Sequence, residues 1–493
     1  MGEPAVEWFI GLRRDGDDEA VPRRTWVYRQ VLDAIRSGRL PAGTRLPSAR
    51  RLALAWDVAR GAVDDAFAQL QSEGLIQRRV GNGSFVAPRL RGGTLTAAPA
   101  ETPAPPDATT CRAIERLQPL ALHAPVAVSG QSGRLHPGLP DTAGFPLAAW
   151  RREIGRAFAE TERNQLSYGV PAGLPALRSA TARHLSLTRS IECRPDQVLI
   201  VASPLHAIEL VAQVLLEPGD AVCVDDPGAA GVARLLALAQ LDVIGVPVDE
   251  QGFDVDQARR RAPNAAAVLL QPLNQWPTGQ RTTVARQRAL LDWADACGAW
   301  VVENDTLGEI VHDGAAPPAL QRLDRAGRVL YVGSFSTLTF PSLRLAYLVL
   351  PEGLVDVFAA VRGLMGDHSP AATQAALATF IEGGHLSAHL RALRRLYRAR
   401  RDALLQAVQR HLPAAARLGP TGGGTWASLQ LPAAWSDAKL VAALAAQGIA
   451  AEALSRLTWQ APGLNGLLLG YGADDERAID AAVATIASVL PAR

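Results

Sequence analysis

The sequence predicts a multidomain protein: a winged helix-turn-helix of α+β class over residues 1–89, a linker over 90–133, and an α/β/α domain with a mostly parallel sheet over 134–493. Three observations predict it. A chain of 493 residues is too long for one hydrophobic core. Residues 24–88 place apolar side chains at helical spacing and then form a glycine-bearing hairpin. From residue 134 onward, short β-branched runs alternate with Ala/Leu-rich helical runs, the pattern of strands covered by helices on both faces.

In the N-terminal segment, Tyr28, Val31, Leu32 and Ile35 share one helical face, and Ser37-Gly38 stops the helix. The run from Leu40 to Pro47 turns the chain, and Ser48 opens a second helix as its N-cap. A third helix is expected over roughly 59–73, with Val63, Phe67 and Leu70 facing inward and Gly74 ending it. The stretch from Leu75 to Val86 reads as a two-stranded wing with Gly81-Asn82-Gly83 at its tip. Such an arrangement places one helix in the major groove of DNA and the hairpin along the backbone. Charge agrees. Residues 21–91 hold 13 arginines and no lysine against 5 acids, in a chain whose net charge is only +2, so the remainder is mildly acidic. A basic module on an acidic body is the footprint of a nucleic-acid reader joined to a sensor; a solvated arginine face is the plain alternative.

Residues 90–133 are rich in Ala, Pro, Thr and Gly and bury too little surface to order themselves. Beyond them, Val198-Leu199-Ile200-Val201, Ala221-Val222-Cys223-Val224, Ala267-Val268-Leu269-Leu270, Trp300-Val301-Val302 and Val329-Leu330-Tyr331-Val332 are expected strands. No apolar run reaches about 18 residues, so no membrane span is expected. The start of the chain has neither the basic nor the apolar stretch of a secretion signal. Cys111, Cys193, Cys223 and Cys297 lie far apart with no CxxC pair, which suits reduced thiols and a cytoplasmic location.

Residues 38–86, GRLPAGTRLPSARRLALAWDVARGAVDDAFAQLQSEGLIQRRVGNGSFV, resemble the GntR family of winged helix-turn-helix regulators. In that family the arginine after Pro-Ser-x, the arginine opening the third helix and the wing glycine approach DNA. The resemblance puts these at Arg50, Arg60 and Gly81, with Arg45, Ser48, Arg51, Gly61, Arg78, Arg79 and Asn82 around them. Arginine suits the task because its planar fork grips phosphate or a guanine edge with two bonds. Relatives often carry Asn-Thr or Thr-Thr after the third-helix arginine; Gly61-Ala62 here removes those polar groups and leaves the operator open.

The larger region resembles fold-type I pyridoxal-phosphate aminotransferases, and more narrowly the MocR/GabR-type regulators that fuse a GntR-like reader to such a domain. The likeness runs through Gly138-Leu139-Pro140-Asp141, Tyr168-Gly169-x-Pro171-x-Gly173, Asp225-Asp226-Pro227-Gly228, Gln275-Trp276-Pro277-Thr278-Gly279, Glu303-Asn304-Asp305-Thr306 and Gly333-Ser334-Phe335-Ser336-Thr337 to Arg344. It implies a small C-terminal α+β subdomain, a homodimer, with a head-to-tail arrangement left open, a double-stranded DNA operator and a small-molecule effector. It also implies pyridoxal 5′-phosphate as the family cofactor, held as a Schiff base to a lysine.

At the positions the resemblance marks, the cofactor chemistry is lost. The lysine after Ser-Phe-Ser is Thr337, and the only lysine of the chain is Lys439, in the surface-type segment Asp437-Ala438-Lys439-Leu440-Val441. The acid that pairs with the pyridine nitrogen is Asn304, the tyrosine two positions on is Thr306, and the ring-stacking tyrosine after Asp-Pro-Gly is Ala229. The phosphate cup at a helix N-terminus becomes Ala202-Ser203-Pro204-Leu205-His206, where Pro204 removes one N–H. Ser334 and Arg344 remain at phosphate-binding positions, where they either hold an anion or pack the loop. The arginine that clamps a substrate carboxylate aligns with Leu468.

His385 and His389 stand four apart but lack the glutamate of HExxH, and Gly422-Gly423-Gly424 reads as a turn, so neither a metal nor a dinucleotide site is expected. The reading is a sequence-specific DNA-binding regulator without transaminase activity, its vestigial cofactor pocket drawing on Ser203, His206, Ala229, Asn304, Thr306, Ser334, Ser336, Thr337 and Arg344. The effector is then a different small molecule, a non-covalently held vitamer, or absent. A working aminotransferase with a DNA-binding head is the alternative, and a pure dimerisation scaffold a third.

Overall fold

Apolar residues at helical spacing build the N-terminal unit. Helix α1 (Arg23–Arg36) buries Trp26, Val27, Val31, Leu32, Ala34 and Ile35. It stops where the Ser37 hydroxyl donates back to the Asp33 carbonyl at 2.6 Å and Gly38 takes φ +71°. Helix α2 (Ala49–Ala55) is capped by Ser48, whose side chain accepts from the Arg51 N–H at 3.2 Å. Helix α3 (Arg60–Ser72) buries Val63, Ala66, Phe67 and Leu70; each large side chain so covered contributes about 1.5–3 kcal/mol. Trp56, just past α2, meets Phe9 and Trp26 edge-on with ring centroids 4.9 and 5.3 Å away. Strands β1 (Ile76–Arg79) and β2 (Gly83–Val86) form the antiparallel wing, from Ile76 opposite Val86 to Arg79 opposite Gly83. The chain ahead of α2 joins β2 on its other side: Leu46 N–H donates to the Ser84 carbonyl at 2.8 Å and Val86 N–H to that of Thr44 at 2.9 Å.

The computed structural model describes residues 9–12, 21–79, 82–88, 133–160, 168–366, 368–460 and 463–490. The chain divides into two compact units, 1–114 and 115–493. The wing residue Gly81, the division itself and the linker expected over 90–133, except Gly133, lie outside the described residues.

In the larger unit, helix α4 (Pro175–Arg189) precedes strand β3 (Val198–Val201), helix α5 (Pro204–Leu215), strand β4 (Ala221–Asp226) and helix α6 (Ala230–Leu238). Strands β5 (Asp242–Asp249), β6 (Gly252–Phe253) and β7 (Ala267–Leu270) follow, then helix α7 (Val284–Cys297) and strand β8 (Trp300–Asn304). Strand β9 (Val329–Ser334) runs straight into the short helix α8 (Phe335–Leu338), and β10 (Ala346–Val349) returns. These strands form one sheet in the order β3-β10-β9-β8-β7-β4-β5-β6. The pairs β4–β5, β4–β7, β7–β8 and β8–β9 are parallel; β10 and β6 run antiparallel to their neighbours.

Strand periodicity sorts the side chains to the two faces. Val222, Val224, Leu269 and Val302 pack with α5 and α6, whereas Cys223, Val268, Leu270 and Val301 pack with α7. Each strand core is therefore apolar throughout, as a sheet covered on both faces requires. The long helix α9 (His385–His411) leads to a four-stranded antiparallel sheet of order β11-β12-β14-β13, where β11 is Arg417–Leu418, β12 Trp426–Gln430, β13 Glu452–Ala453 and β14 Gly466–Gly470. Helices α10 (Asp437–Ala445) and α11 (Glu476–Val489) back it, which is the small α+β subdomain. Among the described residues no helix is long and apolar enough to cross a membrane.

Candidate nucleic-acid interface and candidate ligand cleft

Helix α2, the start of α3 and the wing frame a groove on the N-terminal unit. Of the residues expected at a DNA face, Arg45, Ser48, Arg51, Arg60, Arg78 and Arg79 line it. Arg50, Gly61 and Asn82 are exposed but do not line it. Arg45 is carried to the wing by its bridge to Phe85, and a Cβ on Gly83, at φ +96°, would stand 3.4 Å from the Arg45 Nε. Arg79 lies over the Phe85 ring, 5.0 Å from its centroid. Ser48 spends its side-chain acceptor on the helix cap, so its place in the groove is structural as well as peripheral to a ligand. A run of guanidinium groups with one helix N-terminus at its edge is what a phosphate backbone meets with favourable electrostatics.

On the larger unit, β3, β4, β7, β8 and β9 all end at the same edge of the sheet, the position where α/β folds bind ligands. A narrow cleft there has Ala229 and Asn304 on its wall together with Asp225, Gln271, Trp276 and Trp459. The Asn304 Oδ1 is buried with no hydrogen-bond partner. Asp225 accepts from the Gln271 N–H at 2.8 Å, and its apolar surroundings push its carboxyl up to about 7. The C-terminal part of the chain roofs the cleft. Trp459 and Gln460 donate their backbone N–H groups to the two oxygens of Asp226 at 2.8 and 2.7 Å, and Gly228 N–H donates to the Leu457 carbonyl at 2.9 Å.

The remaining expected pocket residues do not line this cleft, and the polar groups of the serines, Thr337 and His206 are spent on local caps and turns. Ser203 caps α5 by accepting from the His206 N–H at 3.1 Å, and the Ala202 N–H donates to the His206 Nδ1 at 3.3 Å. With Pro204 lacking an N–H, little of that helix terminus is left for an anion. Ser334 accepts from both the backbone N–H and the hydroxyl of Thr337, at 3.2 and 2.9 Å. Ser336 donates to the Leu345 carbonyl and accepts from its N–H, at 3.1 and 2.9 Å. Arg344 sits at φ +52°, exposed and without a polar partner among the described residues, and Thr306 is partly exposed. Leu468 is fully buried in the core beneath the small sheet. Lys439 is exposed on α10. His389 packs edge-on against Phe145 with centroids 5.3 Å apart.

Two features of this edge escape sequence reading. Asp305, next to Asn304, is buried and pairs with Arg189 from the end of α4 at 2.6 Å while accepting from the Tyr331 hydroxyl at 2.8 Å. A Cβ on Gly308 would come within 2.0 Å of the Asp305 Oδ1, so only glycine fits there. The Asp226 contacts to residues 459–460 are the second. The one available signal was an arginine closing an apolar helix and a lone glycine after two acids.

The models of known families divide the chain the same way. That of the bacterial regulatory proteins of the gntR family matches residues 24–86, and that of the class I and II aminotransferases matches 138–463. The "Probable rhizopine catabolism regulatory protein MocR" of Rhizobium meliloti is 31% identical over 492 residues, covering 98% of this chain and 96% of that protein. The chain belongs to the MocR/GabR-type regulators. The pyridoxine biosynthesis regulator PdxR of Corynebacterium glutamicum is 30% identical, with 94% and 95% of the two chains covered. Among solved structures, the α-aminoadipate aminotransferase LysN of Thermus thermophilus, complexed with a phosphopyridoxyl-leucine, superposes with a TM-score of 0.68 at 26% identity over 76% of this chain and 94% of its own. A MocR/GabR-type chain is a DNA-binding transcriptional regulator with an aminotransferase-like domain, and this chain is one.

Proposed function

We propose that this MocR/GabR-type regulator reads DNA through residues 1–89, spans a linker over 90–133, and senses and dimerises through 134–493 in the cytoplasm without forming a covalent bond to pyridoxal phosphate. Arg45, Ser48, Arg50, Arg51, Arg60, Gly61, Arg79, Gly81 and Asn82 supply the DNA face. One observation carries the loss of chemistry: the Thr337 side chain, where an amine is required, is a hydroxyl that donates to Ser334. The cofactor fits poorly in other respects. Asn304 is a neutral amide where an acid would stabilise a pyridinium, Ala229 has no ring to stack, and the Ser203 cap and Pro204 leave the phosphate position few donors.

The cleft favours a different occupant. Its walls carry the Trp276 and Trp459 rings and the acceptors of Asn304 and Asp225, and no lysine or arginine lines it among the described residues. A small flat molecule with N–H donors satisfies the orphaned amide oxygen, whereas a phosphate would meet no cation there. Such a ligand acts by favouring one arrangement of two DNA readers over another.

Mixing the purified protein with a slight excess of pyridoxal phosphate, reducing with borohydride and weighing the chain tests the first claim. The expected result is no stoichiometric adduct and no transamination of any amino acid; either one restores the enzyme reading. A thermal-shift screen over amino acids, vitamers and aromatic amines separates sensor from bare scaffold, because a ligand that binds only the folded state raises the melting temperature.

A further inference from the structure

Among the arginines that line the groove stands a single acid, Asp64. It lies one turn beyond Arg60 on α3, with its Oδ2 3.4 Å from the Arg60 Nε and its Oδ1 3.2 Å from the Arg78 Nη2 of the wing. All three side chains are exposed, 42% for Asp64 and 72% and 36% for the two arginines. Exposed ion pairs contribute little to stability. A carboxylate facing phosphates also opposes binding. Its position therefore asks for a reason other than fold stability or affinity.

The two pairings differ. Arg78 is held from behind as well: its Nη2 donates to the Asp64 carbonyl at 3.3 Å, and its guanidinium lies over the Phe67 ring at 5.8 Å. It is thereby a fixed anchor for the carboxylate. Arg60 approaches the carboxylate through Nε as an ion pair without hydrogen-bond geometry, and among the described residues its two terminal nitrogens make no hydrogen bond. That is the edge an arginine presents to O6 and N7 of guanine. An arginine free to swing discriminates poorly, since its flexible stem reaches phosphates of any sequence; one whose Nε is tethered meets one base. Gly61 and Ala62 add no polar side chain to this end of the helix, so its readout concentrates on Arg60.

We infer that Asp64 is a positioning residue for sequence readout: anchored by Arg78, it aims the Arg60 fork at a guanine and offsets part of the positive charge that would hold any DNA. The inference rests on the groove being the DNA face. It converts a basic surface into a selective one at the expense of non-specific affinity.

The test uses the full-length protein and a duplex selected from a random pool by the wild type. Affinity for the selected and for a scrambled duplex is measured across salt for wild type, Asp64→Asn, Arg60→Ala and the double variant, with melting temperatures as a fold control. Asp64→Asn is expected to lower the ratio of selected to scrambled affinity about tenfold. It is also expected to tighten binding to the scrambled duplex and to steepen the dependence of log K on log salt by about one. In the Arg60→Ala background the same change is expected to leave the ratio unaltered. An unchanged ratio and slope in Asp64→Asn, or an equal fall in the ratio with and without Arg60, overturns the inference while leaving the DNA face intact. If the wild type selects no sequence, the assignment of the groove fails first and takes the inference with it.

Discussion

Burial sets the charge of individual side chains in this protein, and His312 shows the consequence. Its ring is fully buried, and its Nε2 lies 2.9 Å from the Tyr471 hydroxyl. With that hydroxyl donating to the Gly424 carbonyl at 3.1 Å, it can accept from a protonated His312 Nε2. Burial, with Arg401 nearby, holds the imidazole down to about 4. The unfolded chain takes up the proton near 6.5, so between about 6.5 and 4 the unfolded state binds more protons and stability falls as the pH falls. Above 6.5 the group has no effect. The depression amounts to roughly 3 kcal/mol. Denaturant titrations from pH 7 to pH 4 are expected to show this loss in the wild type and a shallower one in His312→Gln. Parallel curves for the two would show that other groups govern the acid limit.

At the level of elements, the turn after β8 is held by buried charges as well as by Leu307 and Ile310 in the core. Arg189 reaches from the end of α4 to Asp305 and to the Pro317 carbonyl, both at 2.6 Å, which ties α4, the turn and the following loop together. Removing one member of such a buried pair leaves the other charge uncompensated, a cost of about 3–5 kcal/mol. Arg189→Met is expected to lower the melting temperature sharply, and Arg189→Met with Asp305→Leu to recover part of the loss. A double variant as unstable as the sum of its parts would contradict this account. The same turn positions Asn304, so Arg189→Met is also expected to weaken any ligand that uses the cleft.

The whole molecule leaves apolar surface uncovered. Tyr168 and Leu364 are 92% and 88% exposed, Val170 and Met365 less so. They belong to one region, since Pro171 stands 3.4 Å from where a Cβ on Gly363 would lie and the Tyr168 ring is 6.3 Å from that of His368. A patch of this kind marks an interaction surface, and under the proposed function a second copy of the chain would be its occupant. Sedimentation is expected to find a dimer for the wild type and a shift toward monomer for Leu364→Arg. A wild-type monomer at micromolar concentration, or an unaltered dimer in the variant, would place the interface elsewhere.

Much of the architecture was legible in the residues alone because its signals are local. The period of Tyr28, Val31, Leu32 and Ile35, the stops at Gly38 and Gly74, the Ser48 cap and the apolar strand runs all correspond to the elements observed. The assignment of Thr337 and Asn304 to their family positions rests on motif spacing alone. Contacts between distant segments were not legible. Nothing near Asp226 announces that it binds Trp459, 233 positions away, or that Arg189 finds Asp305, 116 positions away. Nor does Asp64 declare its reach to Arg78 across the wing. Helix and strand period report which side of an element is apolar, and so the class of fold. Which charged group meets which depends on how the packed elements bring their ends together, and that is settled only when the core closes.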